Sequence, residues 1–245
     1  MIIGINGKIG SGKDTVGKII QYLKCYNVGD IRIEDVITNP EHEWWIEEQS
    51  NFEIKKFAGK LKQTASLLTG IPVEKFEDQE FKKTYLGEQW NSSYNIPFSG
   101  PDFVEHDGAM TVRTLLQRLG TEAMRDGLHT NVWVNALFAD YKPQDAPYKY
   151  LGDLLEDKHH EVLNNPNWII TDMRFPNEME AIVERKGITI RVVRDNGTRA
   201  LSDMNNHPSE TSLDDTEFDH EIINNGSIDD IIEKVKQILI IEKII

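Results

Sequence analysis

The stretch from Gly7 to Thr15, GKIGSGKDT, constrains this chain more than any other, because it directly follows a short apolar run, Met1 to Ile5. Glycines at its first, fourth and sixth positions let the backbone turn back over an anion and point successive N–H groups at it. Lys13 adds a positive charge, and a helix predicted over 16–24 would add the positive end of its dipole. A strand, a glycine-rich loop, a lysine and a helix in this order predict a phosphate-binding P-loop.

This loop departs from the usual P-loop pattern at one position. Asp14 stands where a Ser or Thr hydroxyl usually contacts magnesium, and the hydroxyl comes one residue later, at Thr15. The change argues against a motor-type or switch-type nucleotidase, whereas P-loop kinases of small molecules tolerate other residues there.

Composition excludes several kinds of partner. The 245 residues include 41 acidic and 27 basic side chains, a formal net charge of −14, whereas binding to a nucleic-acid backbone needs a basic face. No segment approaches the ~20 apolar residues that span a bilayer. The single cysteine, Cys25, excludes an intramolecular disulfide and favours a reducing compartment. We therefore expect a cytoplasmic protein that binds neither nucleic acid nor membranes, and the sequence leaves a homodimer open.

Hydrophobic periodicity predicts alternating strands and helices behind the P-loop. Strands are predicted at 52–58, 168–171, 188–193 and 221–223, and helices at 59–69, 111–141, 179–186 and from 228 onward. This alternation predicts an α/β fold in three layers, with a central parallel sheet and helices on both faces. We expect one domain over 1–245, with insertions at 27–50, 80–108 and 143–166 and a lid at 195–219. In the first insertion, Trp44 and Trp45 are expected to pack.

Charged residues beyond the P-loop suggest a second part of the site. Asp172 and Arg174 follow the apolar strand at 168–171, at the sheet edge where open α/β folds bind ligands. Both would project to one side if the chain stays extended between them. Lys62 lies near the start of a predicted helix, where a cation opposes the helix dipole unless an anion is present. Lys62 is therefore either a solvated lysine or a ligand of a substrate phosphate.

Four stretches together resemble the phage-type deoxynucleoside monophosphate kinases. They are Gly7–Thr15, FAGKLK at 57–62, RTLLQRLGTE at 113–122 and TDMRFPNE at 171–178, with a shorter fifth, HPSE at 207–210. The resemblance runs from end to end, and it implies a P-loop kinase fold with a lid. It also implies transfer of the γ-phosphoryl group of ATP to a deoxynucleoside 5′-monophosphate, with magnesium, for nucleotide supply to DNA synthesis. For a phage protein the location would be the host cytoplasm.

The resemblance implies roles on the ATP side of the site. ATP would be bound by Gly7, Gly10, Ser11, Gly12, Lys13, Asp14, Thr15 and, from the lid, Arg199. Asp172, with Asp14, would hold magnesium through water. The expected catalytic residues are Lys13, Asp172 and Arg174.

Other residues are implied on the acceptor side. Arg174, Arg113 and Lys62 would bind the acceptor phosphate, because a guanidinium presents a planar fork to phosphate oxygens. Gln117 and Thr121 would contact the base or sugar. The weaker fifth stretch leaves His207 and Glu210 with either a functional or a structural role.

Three alternatives remain. A P-loop kinase of another small acceptor, such as a coenzyme A precursor or a phosphorylated alcohol, would share the first and fourth stretches. A nucleotide-dependent switch or assembly ATPase would hydrolyse ATP without an acceptor, and a silent binding module would transfer nothing. The last two need no second cluster of basic residues, so the sequence favours a kinase.

Overall fold

A computed structural model describes residues 1–26, 28–91, 109–143, 165–194 and 211–245. Contacts within it divide the chain into two compact units, Met1–Phe57 with Leu137–Ile245, and Ala58–Ala136. Most of the expected insertions at 80–108 and 143–166 and most of the expected lid at 195–219 fall outside the described residues. Among the helices that are described, none has the length and apolar character needed to cross a membrane.

The first unit is built on a sheet of five parallel strands. The strands are β1 (Ile2–Asn6), β2 (Phe52–Lys55), β3 (Asn167–Ile170), β4 (Ile188–Val193) and β5 (His220–Ile223), in the spatial order β2-β3-β1-β4-β5. β1 is central, because its Ile3 lies beside Ile169 of β3 on one side and Ile188 of β4 on the other. The predicted parallel sheet is confirmed, although β2 ends three residues earlier than expected.

Eight α-helices have bounds in the described ranges. They are α1 (Lys13–Leu23), α2 (Ile33–Thr38), α3 (Pro40–Gln49), α4 (Phe57–Thr69), α5 (Val112–Gln117), α6 (Val132–Phe138), α7 (Pro176–Glu184) and α8 (Ile228–Ile241). A π-helical segment, Arg118–Asp126, continues α5. Thr111 and Ser227 cap α5 and α8 as N-cap residues should, each accepting a hydrogen bond from a backbone N–H three residues on.

Helices cover both faces of the sheet. Ile3 and Ile5 of β1 share a buried cluster with Ile19 of α1 and Val235 of α8. Gly4 points the other way, since a Cβ there would lie 2.6 Å from Ile182 of α7. Successive residues of a strand face opposite sides, so the expected three layers are confirmed in the described residues.

The segment at 27–50 forms α2 and α3, which no clear periodicity had indicated. Ile33, Val36 and Ile46 join the core of the first unit. Trp44 and Trp45 are 59% and 40% exposed, so the expectation that this pair packs is wrong.

The second unit has its own small core. Ala65, Phe76, Val112 and Leu115 are buried together in it, so α4 and α5 are joined by a shared apolar cluster. Within the unit, a Cβ on Gly120 would lie 2.9 Å from Leu61, so glycine is needed where the π-helical segment meets α4.

Candidate active site

The P-loop joins the end of β1 to the start of α1. Gly10 and Gly12 have φ angles of +81° and +92°, which side chains rarely tolerate. The Ser11 N–H donates to the carbonyl of Lys8 at 3.0 Å and closes the turn. The structure therefore has the strand, glycine-rich turn and helix that the sequence predicts for a phosphate site.

Asn224, the residue directly after β5, holds the P-loop from the far end of the chain. Its buried Nδ2 donates to the carbonyl oxygen of Ser11 at 2.7 Å, and its backbone N–H donates to Val193 at 2.7 Å. A Cβ on Gly12 would lie 2.3 Å from the same Nδ2. The sequence indicated only a turn at Asn224, because nothing local marks a contact with a loop at the opposite end of the sequence.

Asp14 is held by two residues, Thr171 and Lys56, to which the sequence assigned no role in the site. Its Oδ1 accepts a hydrogen bond from the Thr171 hydroxyl at 2.9 Å and lies 3.1 Å from Nζ of Lys56. Burial raises the pKa of Asp14, but other contacts outweigh it and bring that pKa below its usual value. These contacts are the charge and hydrogen bond of Lys56, the Thr171 hydroxyl and the charge of Lys13. Asp14 is therefore a carboxylate at neutral pH.

Asp172 lies in the turn that follows β3, and the strand does not continue to Arg174. Its Oδ1 accepts a hydrogen bond from the backbone N–H of Phe57 at 2.8 Å. Asn6, at the end of β1, donates its side-chain amide to the carbonyl of Met173 at 2.9 Å. The segment after β3 is thus anchored to the ends of both β1 and β2.

Glu178 fixes the backbone at Arg174. This buried carboxylate accepts from the N–H groups of Arg174 at 2.7 Å and Phe175 at 3.1 Å. Its place three residues after the N-cap of α7 is that of the acid in a capping box, and this spacing was the signal available in the sequence.

Four of the acceptor-side candidates, Lys62, Arg113, Gln117 and Thr121, belong to the second unit, whereas Arg174 belongs to the first. Nζ of Lys62, which is buried, lies 2.5 Å from Oε1 of Glu77, and Nη2 of Arg113 donates to Oε1 of Gln79 at 3.3 Å. The structure thus brings Lys62 and Arg113 to one short segment, whereas Gln117 and Thr121 are exposed. Lys62 is not a solvated lysine, and its role as a phosphate ligand stays a prediction.

Two carboxylates of the first unit, those of Asp14 and Asp172, suit a magnesium ion whose other ligands would be water and substrate phosphates. Within the described ranges, no group of three or more His, Cys, Asp or Glu side chains could hold a metal. Asp14 and Asp172 contact the consecutive residues Lys56 and Phe57, so both carboxylates lie at the same edge of the sheet. One or two carboxylates completed by water and substrate phosphates are the usual magnesium site in kinases.

A cavity of about 240 Å³ lies against the P-loop. It is lined by Asn6, Gly7, Lys8, Ile9, Ser11, Arg191, Val192, Val193, Arg194 and Asp214. A larger cavity, about 590 Å³, lies beside α3 against Trp44 and Trp45 and contains none of the predicted site residues. Arg199, His207 and Glu210 lie outside the described residues.

Comparison with known proteins gives three findings. A model of the family described as deoxynucleotide monophosphate kinase matches residues 102–235, more than half of the chain. The chain is 25% identical to the deoxynucleoside-5′-monophosphate kinase of Escherichia phage T5, over 91% of this chain and 89% of the phage protein. It is 27% identical to a protein of Acanthamoeba polyphaga mimivirus with the provisional name of deoxynucleotide monophosphate kinase, over 51% of this chain and 59% of the viral protein. A chain with this P-loop, this sheet and these matches belongs to the deoxynucleotide monophosphate kinase family.

Proposed function

We propose that this chain transfers the γ-phosphoryl group of ATP to a deoxynucleoside 5′-monophosphate and releases ADP and the deoxynucleoside diphosphate. Family membership makes the chain a kinase with nucleotide substrates. One observation supports dividing the site into an ATP side and an acceptor side. The P-loop lies between β1 and α1, and Asp172 and Arg174 are fixed at the end of the neighbouring strand β3.

The reaction needs alignment and charge compensation more than bond-making by the protein. An oxygen of the acceptor phosphate attacks the γ-phosphorus, and the bond to the bridging oxygen breaks, leaving that oxygen on ADP. The acceptor phosphate is already ionised at neutral pH, so no general base is required. The chain must instead offset the repulsion between two anions and hold them in line.

On the ATP side, Lys13 and the N–H groups of the P-loop bind the phosphates, and Thr15 lies at the α or β phosphate. Asp14 and Asp172 would hold magnesium through water, in place of the missing hydroxyl. Bound magnesium neutralises part of the phosphate charge. Arg199, which lies outside the described residues, is assigned to the same side by the family resemblance.

On the acceptor side, the family resemblance assigns Arg174, Arg113 and Lys62 to the phosphate, and Gln117 and Thr121 to the base or sugar. The backbone of Arg174 is held by buried Glu178, which limits the directions its side chain can take. The contacts of Lys62 and Arg113 with the 77–79 segment support a shared role for these two cations.

The test is a panel of acceptors supplied with ATP and magnesium, followed by ADP release. It contains the deoxynucleoside monophosphates, the matching ribonucleoside monophosphates, dephospho-coenzyme A and a sample with no acceptor. We expect release to be fastest with one or more deoxynucleotides.

Each competing function gives a different result. Faster release with a ribonucleotide than with every deoxynucleotide would overturn the deoxy preference and leave the kinase. This preference rests on the family, and a merely apolar pocket would reject the extra hydroxyl by only about 10²-fold. Release only with dephospho-coenzyme A would identify the other small-acceptor kinase, and release regardless of acceptor would identify an ATPase.

A further inference from the structure

Lys56 is a charged residue of the P-loop region to which the proposed function gives no role. It stands between the end of β2 and the start of α4, at the sheet edge that carries Asp172. Its ammonium lies 3.1 Å from Oδ1 of Asp14, and its side chain is 35% exposed. Lys56 is thus in direct contact with the P-loop residue that departs from the usual pattern.

The departure at Asp14 creates an electrostatic problem for the loop. A Ser or Thr hydroxyl is neutral, whereas Asp14 places a full negative charge beside the site where nucleotide phosphates are expected. Thr171 satisfies one oxygen with a hydrogen bond but brings no charge. Lys56 forms an ion pair with this carboxylate, and with the charge of Lys13 it offsets the negative charge of Asp14 in the nucleotide-free chain.

We propose that Lys56 supplies to Asp14, in the nucleotide-free chain, the positive charge that magnesium supplies in the loaded site. Magnesium held through water would then take the place of Lys56 beside Asp14, so a positive charge would face this carboxylate with and without nucleotide. This inference rests on the proposed function, because it requires a magnesium nucleotide at the P-loop.

The exchange predicts how nucleotide binding depends on magnesium. Without Lys56, the carboxylate of Asp14 would keep less positive charge beside it, so magnesium-free ADP would bind more weakly. Magnesium–ADP would bind as well as before or better, since the metal no longer displaces a lysine. The ratio of the ADP dissociation constants without and with magnesium should therefore rise.

The experiment is calorimetric titration of ADP into the full chain, once in EDTA and once in saturating magnesium chloride. Lys56→Met should raise the ratio by about two- to fivefold, the size expected for one partly exposed charge pair. Lys55→Met is the matched control. Its ammonium lies 2.5 Å from Glu53, its side chain is 33% exposed, and its removal should leave the ratio unchanged.

Two further variants separate charge from structure. Lys56→Arg should keep the wild-type ratio, because the charge remains. In an Asp14→Asn background, Lys56→Met should have no effect on the ratio. If Lys56→Met does not fold, Lys56→Gln takes its place in the same titrations.

If Lys56→Met weakens ADP binding equally in EDTA and in magnesium chloride, the proposal is overturned, since that result fits a structural role or a direct phosphate contact. A rise of the ratio in the Asp14→Asn background would overturn it as well. If the wild-type chain does not bind ADP, or binds it without regard to magnesium, the proposed function fails. If wild-type binding depends on magnesium and Lys56→Met leaves the ratio unchanged, the role of Lys56 alone fails.

Discussion

Alanine substitutions at Gly12 and Gly10, compared with each other, isolate the stability that one P-loop contact provides, the hydrogen bond from Asn224 to Ser11. Both glycines have positive φ angles, but a Cβ on Gly10 would meet no atom within 4 Å, whereas one on Gly12 would lie 2.3 Å from Nδ2 of Asn224. Replacing each glycine by alanine therefore adds the same backbone strain at two neighbouring positions. Only the Gly12 substitution should also displace the amide of Asn224.

The expected costs follow from these two terms. A left-handed backbone costs a residue with a Cβ about 1–2 kcal/mol, which is the whole effect expected for Gly10→Ala. Moving Asn224 also breaks its 2.7 Å bond to the carbonyl of Ser11, and a buried group left without a partner costs about 1–3 kcal/mol. Gly12→Ala should therefore lower the free energy of unfolding by about 2–5 kcal/mol.

Urea unfolding without nucleotide, followed by circular dichroism, measures both values by linear extrapolation. Asn224→Ala and the Gly12→Ala/Asn224→Ala double variant complete a cycle. Because the double variant has already lost the obstructing amide, its cost should fall short of the sum of the two single costs. Equal costs for Gly12→Ala and Gly10→Ala, or strict additivity in the cycle, would refute this account of how Asn224 holds the loop.

Three further predictions concern single side chains. Lys13→Ala should give a folded chain whose transfer rate falls by at least ~10², as for loss of one preorganised charge-stabilising donor, and unchanged turnover at saturating ATP would contradict the P-loop assignment. Arg174→Ala should impair use of the monophosphate more than ATP binding, and steady-state kinetics with each substrate varied in turn would reveal the opposite pattern if Arg174 serves ATP. Burial raises the pKa of Cys25 from 9.0 to about 11, so iodoacetamide should alkylate this single cysteine about 10²-fold more slowly at pH 8 in the native chain than in urea, and equal rates would contradict it.

Local sequence patterns were enough to predict most of the sheet. β4 occupies Ile188–Val193, as predicted, because a strand buried on both faces is a nearly continuous apolar run. The boundary between β2 and α4 was wrong because Phe57 extends the apolar pattern of β2. In the structure Phe57 begins α4, and its ring packs edge-on against Phe138 at 6.1 Å. A contact with a residue so distant in the sequence leaves no periodic signal.

The candidate site likewise contains residues that local sequence predicted and residues that it did not. The glycines and Lys13 were predictable because a P-loop is a local structure, whose residues act through the backbone of one turn. Asn224 and Thr171 were not, since they contact Ser11 and Asp14 across 213 and 157 positions of sequence. Lys56 lies outside the motifs, although it directly precedes FAGKLK, and a lysine at the end of a strand usually faces solvent.

The central position of β1 has a consequence for how the protein forms during synthesis. β1 leaves the ribosome before the other four strands, yet the partners of its Ile3, Ile169 in β3 and Ile188 in β4, come more than 160 positions later. Asn224, which steadies the P-loop, comes later still. Contacts this distant in sequence form slowly, because a long chain must close before they yield any stability. We expect nascent chains that end before β4 to lack nucleotide affinity, so that a bound nucleotide stabilises this fold only once β4 and β5 have been made.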